Sequence, residues 1–159
     1  AQVLHQTGEA NYADVESMSK AALAGVTDPL QRARYKAVPY FDQEILKLAM
    51  SAADLIVARA GSNTIAEISA LGKPSVLVPL DESARGHQSL NAYAFAETGA
   101  ATVIEEGNLL PGIFLNQIKS ILGNRDKLNK MAAASSSFFR PDAAETIAGE
   151  ILNLVNERR

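Results

Sequence analysis

Ala58-Arg-Ala-Gly61-Ser-Asn-Thr-Ile-Ala-Glu67, then Leu71-Gly-Lys-Pro-Ser-Val-Leu-Val-Pro79, then Gly86-His-Gln-Ser-Leu-Asn91, reads as strand end, turn, helix, strand and ligand loop. The strand feeding it is Asp54-Leu-Ile-Val-Ala58, a short apolar run of β-formers that stops at Arg59-Ala60-Gly61. There the backbone must turn sharply into a helix, and such a turn presents backbone N–H groups that no helical carbonyl accepts. With the positive end of the helix dipole, these donors suit a diphosphate or carboxylate. Gly61 adds a bare approach.

Glu67 lies about one turn into the helix from Asn63 and shares its ligand-facing end. Two readings stand side by side. A carboxylate there would repel phosphate but would accept from both hydroxyls of a ribose, as the acidic residue of dinucleotide-binding folds does. Alternatively, Thr64-Ile-Ala-Glu67 is a capping box, with Thr64 as N-cap and Glu67 reaching back to its N–H.

Working outward, the chain has 159 residues and 47% hydrophobic content, enough for one domain with a sizeable core. A formal net charge of −3 supplies no basic field, which argues against nucleic acid as a partner. There is no cysteine, hence no disulfide scaffold or thiol nucleophile. No apolar run approaches the roughly 20 residues of a membrane span. Gln2-Val-Leu-His-Gln6 already reads as a strand, so the chain opens without a lead-in, as a piece of something longer would.

After Gly8, helical spacing predicts a helix over 11–24, broken by Thr27-Asp28-Pro29 and followed by a polar linker and a strand, Tyr35 to Val38. Pro39-Tyr-Phe-Asp42 is a turn into a second helix, with Asp42 as its candidate N-cap, and Tyr40 and Phe41 sit at a strand's end, where one could flank a base. A helix from Asn63 to Leu71 ends at Gly72. Ser75-Val-Leu-Val78 is a strand without alternation, and so buried on both faces. Asp81 to Gly86 is a polar loop carrying Arg85, and a helix opens at His87 or Gln88. Ala101 to Ile104 is the last strand, followed by helices over 113–122, 126–137 and 143–155. The alternation predicts an α/β fold: a Rossmann-like parallel sheet with helices on both faces, forming one domain over 1–159.

Catalytic constellations are missing. The two histidines, His5 and His87, have no acidic partner at ligand spacing, so no metal site is expected. Neither a Gly-x-Ser-x-Gly elbow nor a Gly-x-x-x-x-Gly-Lys-Ser/Thr loop occurs. His87, alone at a loop edge, reads as a hydrogen-bonding residue rather than a base. A binding site remains, without a reaction centre.

The run from Tyr40 to Ala101 closely resembles the C-terminal, donor-binding half of MurG-type glycosyltransferases, family 28 enzymes of GT-B architecture. These transfer N-acetylglucosamine from UDP to a lipid-linked muramyl pentapeptide in peptidoglycan synthesis. The resemblance rests on Ala53-Asp-Leu-Ile-Val-Ala-Arg-Ala-Gly61, Thr64-Ile-Ala-Glu67, Gly72-Lys-Pro74, Val78-Pro79 and Gly86-His-Gln-Ser-Leu-Asn-Ala92, with His5-Gln-Thr-Gly8 and Phe139-Arg-Pro-Asp-Ala143 similar too. It implies that Arg59 and the turn Gly61, Ser62, Asn63 and Thr64 face the donor's sugar and diphosphate; from its place at a strand's carboxyl end, Arg59 is expected to stay solvated until ligand arrives. It further implies that Glu67 takes the ribose hydroxyls, that His87 and Gln88 contact sugar or diphosphate, and that Tyr40, Phe41 and Asp42 border uracil. This favours the ribose role of Glu67 over the capping box. No catalytic residue, metal or cofactor falls in this chain. The implied partners are UDP-N-acetylglucosamine, an N-terminal acceptor domain and, through it, the lipid-linked acceptor. The implied location is cytoplasmic, peripheral to the inner face of the plasma membrane.

In two respects the chain departs from that pattern. The family's donor half opens with a strand, a Gly-rich loop and a helix that have no counterpart before Ala1, and the acceptor domain is missing. That strand is central in the family, so Val3 to His5 and Ser75 to Val78 are expected to present unpaired ladders and to drive self-association. The chain alone is expected not to catalyse transfer.

Overall fold

The computed structural model describes residues 1–80 and 86–156. It divides into two compact units, Ala1–Ala52 and Ala53–Arg159. The first is a parallel pair, β1 (Val3–Gln6) beside β2 (Tyr35–Val38), with Val3 opposite Tyr35 and Gln6 opposite Val38. Between them run α1 (Tyr12–Leu23) and a four-residue α2 (Pro29–Arg32), and α3 (Gln43–Ala52) follows. α2 stands where a polar linker was expected. Asp28 accepts from the Leu30 N–H at 2.9 Å and Pro29 opens the turn, so the apparent helix breaker is a cap followed by a favoured first residue. Asp42 caps α3 as expected, its Oδ1 accepting from the Ile45 N–H at 2.8 Å. On α1, Glu16 accepts from Tyr12 and pairs with Lys20, and these bonds hold its carboxyl below the ordinary range, Lys20 contributing most.

The second unit holds three parallel strands in the order β3 (Ile56–Ala58), β4 (Ser75–Leu77), β5 (Ala101–Val103), with Val57, Val76 and Thr102 in register. α4 (Ser62–Ala70) joins β3 to β4, α5 (His87–Glu97) precedes β5, and α6 (Pro111–Leu122), α7 (Arg125–Phe138) and α8 (Ala143–Asn156) close the chain. The expected polar loop from Asp81 through Arg85 lies outside the described residues. β4 is buried along its whole length, and burying Val76 and Leu77 contributes about 1.5–3 kcal/mol each. Val76 and Val78 pack with Ile104, Ile121 and Met131, flanked by Leu55, Phe114, Ile118 and Leu128. Leu77 alternates to the opposite side of the pleat.

β4 corrects one expectation. It pairs with β3 on one edge and β5 on the other, and its ladder extends through the Val78 N–H to Ala58 O at 2.9 Å and the Ile104 N–H to Leu77 O at 2.9 Å. Ser75 to Val78 therefore presents no unpaired ladder, and that ground for self-association falls away.

α4 ends in a Schellman turn. The Lys73 N–H reaches Ile68 O and the Gly72 N–H reaches Ser69 O, both at 3.1 Å, with Gly72 at φ 60°. A Cβ on Gly72 would also meet Ser136 Oγ at 2.2 Å, because α7 lies against α4 here, where Ser135 Oγ donates to Ile68 O at 3.3 Å. Gly72→Ala should cost about 1–2 kcal/mol from the left-handed backbone alone. Urea unfolding checks this, and adding Ser136→Ala should recover only the steric part.

Candidate functional site

In a parallel sheet the helices that follow strands begin at the carboxyl edge, and here α4 and α5 both open there. α4 starts at Ser62 with Gly61 as N-cap, and the Ile65 N–H makes the first helical bond, to Gly61 O at 3.0 Å. The N–H groups of Ser62, Asn63 and Thr64 are thus the orphan donors, and no acidic residue lies in that turn to offset the dipole. Gly61 has φ −65° and ψ 145°, a conformation open to any residue, and a Cβ there would touch only Thr64 Oγ1, at 3.8 Å. Its bareness therefore serves nothing inside the fold.

The frame also corrects the capping-box reading. Thr64 is the third residue of α4 and not its cap, so Glu67 has no N-cap hydroxyl to answer. The Glu67 side chain is exposed and makes no hydrogen bond or ion pair among the described residues.

Arg59, just past β3, is not the waiting solvated cation that was expected. Its Nη2 pairs with Glu106 Oε1 at 2.7 Å, and its Nη1 donates to Val78 O at 3.3 Å and Pro79 O at 3.5 Å. Gln88, on the first turn of α5, accepts from the Leu80 N–H at 3.1 Å through Oε1. The β4 exit is therefore held from two sides, its carbonyls by Arg59 and its next N–H by Gln88. Asn91, one turn further along α5, donates from Nδ2 to Ala60 O at 3.3 Å and ties α5 to the turn between β3 and α4. Gly86, the α5 N-cap at φ 71°, permits the tight entry, and α5 also lacks an acid in its first turn. His87 is exposed and has no partner among the described residues.

The structure thus joins Arg59, the Gly61–Thr64 turn and Gln88 into one hydrogen-bonded edge, with Glu67 one turn along α4. Tyr40, Phe41 and Asp42 belong to the first unit. There Tyr40 is exposed, the Phe41 N–H donates to Gln6 Oε1 at 2.9 Å, and the Asp42 carboxylate is engaged in capping. Two contributors escape a reading of the sequence. Asn91 stands within a quoted motif but carries no assigned role there. Glu106, in a 3₁₀ turn (Glu106–Asn108) after β5, meets Arg59 across 47 residues, and no local pattern signals it. Its neighbour Glu105 accepts from Tyr93 Oη at 2.5 Å, and that bond keeps the phenol's pKa above its ordinary value. Among the described residues no cluster of His, Asp or Glu could hold a metal ion, and no helix is long and apolar enough to cross a membrane.

Residues 1–147 match the model of the glycosyltransferase family 28 C-terminal domain. The chain belongs to this family. The family 28 chain is 37% identical over 153 residues to a UDP-N-acetylglucosamine–N-acetylmuramyl-(pentapeptide) pyrophosphoryl-undecaprenol N-acetylglucosamine transferase of Desulforamulus reducens, covering 92% of this chain and 38% of that one. It is also 37% identical over 157 residues to the transferase of the same name from Acetivibrio thermocellus, covering 98% of this chain and 40% of that one. Among solved structures, MurG of Acinetobacter baumannii matches with a TM-score of 0.79 and 29% identity, over 96% of this chain and 43% of that one. The glycosyltransferase VinC, in complex with dTDP, matches with a TM-score of 0.69 over 99% of this chain and 35% of that one; at 22% identity this is a likeness of fold. The family 28 chain spans about two fifths of the length of these two transferases, 38% and 40%. Its fold is the Rossmann-like α/β fold of GT-B glycosyltransferases, as expected.

Proposed function

We propose that this chain is the UDP-N-acetylglucosamine-binding half of an inverting hexosyltransferase that passes N-acetylglucosamine to a lipid-linked muramyl pentapeptide. The observation that carries the reading is the carboxyl edge itself: two acid-free helix starts and Arg59 converge, while Glu67 lies uncommitted one turn away. The diphosphate sits on the N–H groups of Ser62, Asn63 and Thr64, and Arg59 adds a planar fork. Glu67 takes the ribose diol. His87 and the Nε2 of Gln88 contact the sugar or the diphosphate. The names of the relatives supply the donor and the acceptor.

The chemistry of this half is positioning and electrostatics. As the glycosidic bond breaks, negative charge grows on the departing UDP, and fixed N–H dipoles stabilise it without reorganising. Removing one such donor costs about 3 kcal/mol in comparable sites. The base that activates the acceptor lies with an acceptor domain outside this chain, and the whole enzyme works peripherally on the cytoplasmic face of the membrane.

Calorimetry with UDP and UDP-N-acetylglucosamine tests the reading, using Gly61→Ala as the diagnostic variant. Its backbone angles and open surroundings predict unchanged unfolding, whereas a methyl in the diphosphate's path should weaken both ligands about ten- to hundredfold, the usual range for overpacking a tight contact. Equal binding by the two proteins would remove the diphosphate from the start of α4.

A further inference from the structure

We propose that Asn91 is a positioning residue that locks the Ala60–Gly61 peptide and so keeps the Gly61 N–H turned outward as a further donor for the diphosphate. The inference rests on the donor reading above. Ala60 is fully buried, and its carbonyl oxygen has one partner among the described residues, the Nδ2 of Asn91 at 3.3 Å. In a planar trans peptide the N–H lies opposite the C=O, so holding the oxygen toward α5 turns the Gly61 N–H away from it. That N–H has no partner among the described residues, and it directly precedes the orphan donors of Ser62, Asn63 and Thr64 at the start of α4.

The restraint is needed because of Gly61 itself. The carbonyl of Gly61 is fixed by the Ile65 N–H at 3.0 Å, but the peptide on its other side belongs to no helix. Rotating that peptide by half a turn changes only ψ of Ala60 and φ of Gly61. It carries Gly61 from φ −65° to the positive side, at a ψ of 145° that is open there in practice to glycine alone. In the rotated state a carbonyl oxygen replaces the N–H and meets the diphosphate with negative charge. A buried carbonyl deprived of its donor favours that rotation, which returns the oxygen to water. The residue that spares the diphosphate a side chain is thus also the one whose backbone needs holding from outside.

Asn91→Leu keeps the branched shape of the side chain and removes its donor. UDP affinity should fall about three- to tenfold, the factor by which one lost neutral hydrogen bond depletes the locked peptide. Uridine, which carries no phosphate, should bind both proteins alike. Asn91→Ala should lose by the same factor, and it replaces the leucine variant if that one does not fold. In a Gly61→Ala background the added Cβ bars the rotation, so Asn91→Leu should cost less than about a further twofold. Unchanged UDP binding by Asn91→Leu overturns the inference alone. An equal loss for uridine, or the full loss in the Gly61→Ala background, overturns it as well and makes Asn91 a tether of α5. A wild-type chain that binds no UDP overturns the donor reading and this inference together.

Discussion

Glu67→Ala should lower the affinity of the chain for UDP by about two orders of magnitude while leaving its unfolding midpoint unchanged. Hydrogen bonds to a charged acceptor contribute about 1.5–3 kcal/mol each, and a carboxylate spanning a vicinal diol makes two of them, so even the lower value reaches a hundredfold. Stability should hold because Glu67 is exposed, has no partner among the described residues and does not close a cap at Gly61. Alanine is also a slightly better helix former. The measurement is calorimetry with UDP and with 2′-deoxy-UDP, which offers only one of the two hydroxyls. Wild type should prefer the ribonucleotide strongly, and the variant should bind the two within a few-fold of each other. Equal losses for both nucleotides, together with a lower melting temperature, would return Glu67 to a structural role.

How much of this is legible in the sequence depends on how far apart the deciding residues lie. β4 declares itself, because Ser75-Val-Leu has no polar alternation and is in fact buried on both faces. Gly72 and Gly86 mark a helix end and a helix start, since both positions adopt positive φ. The start of α4 is harder. The Thr64-x-x-Glu67 pattern fits a capping box, yet the cap and the helix start lie three residues earlier, because Gly61 is already extended and its carbonyl accepts from the Ile65 N–H. A short motif specifies spacing but not frame. α2 is too short to show a period, and its Asp28-Pro29 opening also occurs where helices break. The second neighbour of β4 comes from β5, and the occupant of Arg59 from Glu106. Both are tertiary facts that no window of ten residues contains.

Phe95→Ala should cost about 3–5 kcal/mol, the range for removing a fully buried aromatic side chain, against a total stability of roughly 5–15 kcal/mol for a domain. Phe95 is completely enclosed on α5, and its ring meets that of Phe138 on α7 edge-on, with centroids 5.0 Å apart and planes at 75°. The loss therefore combines burial, a cavity and an oriented aromatic pair. Phe95→Leu keeps most of the volume and should lose far less. The readout is urea unfolding, with a lower midpoint at unchanged slope. Binding separates this effect from the site. Gln88 and Asn91 sit one to two turns earlier on α5 and are fixed by their own bonds to Leu80 and Ala60. The fraction of Phe95→Ala that remains folded should consequently bind UDP within a few-fold of wild type. A binding loss as large as that of Glu67→Ala, in protein shown to be folded, would mean that α5 is placed by its buried end and that the bonds at its start follow passively.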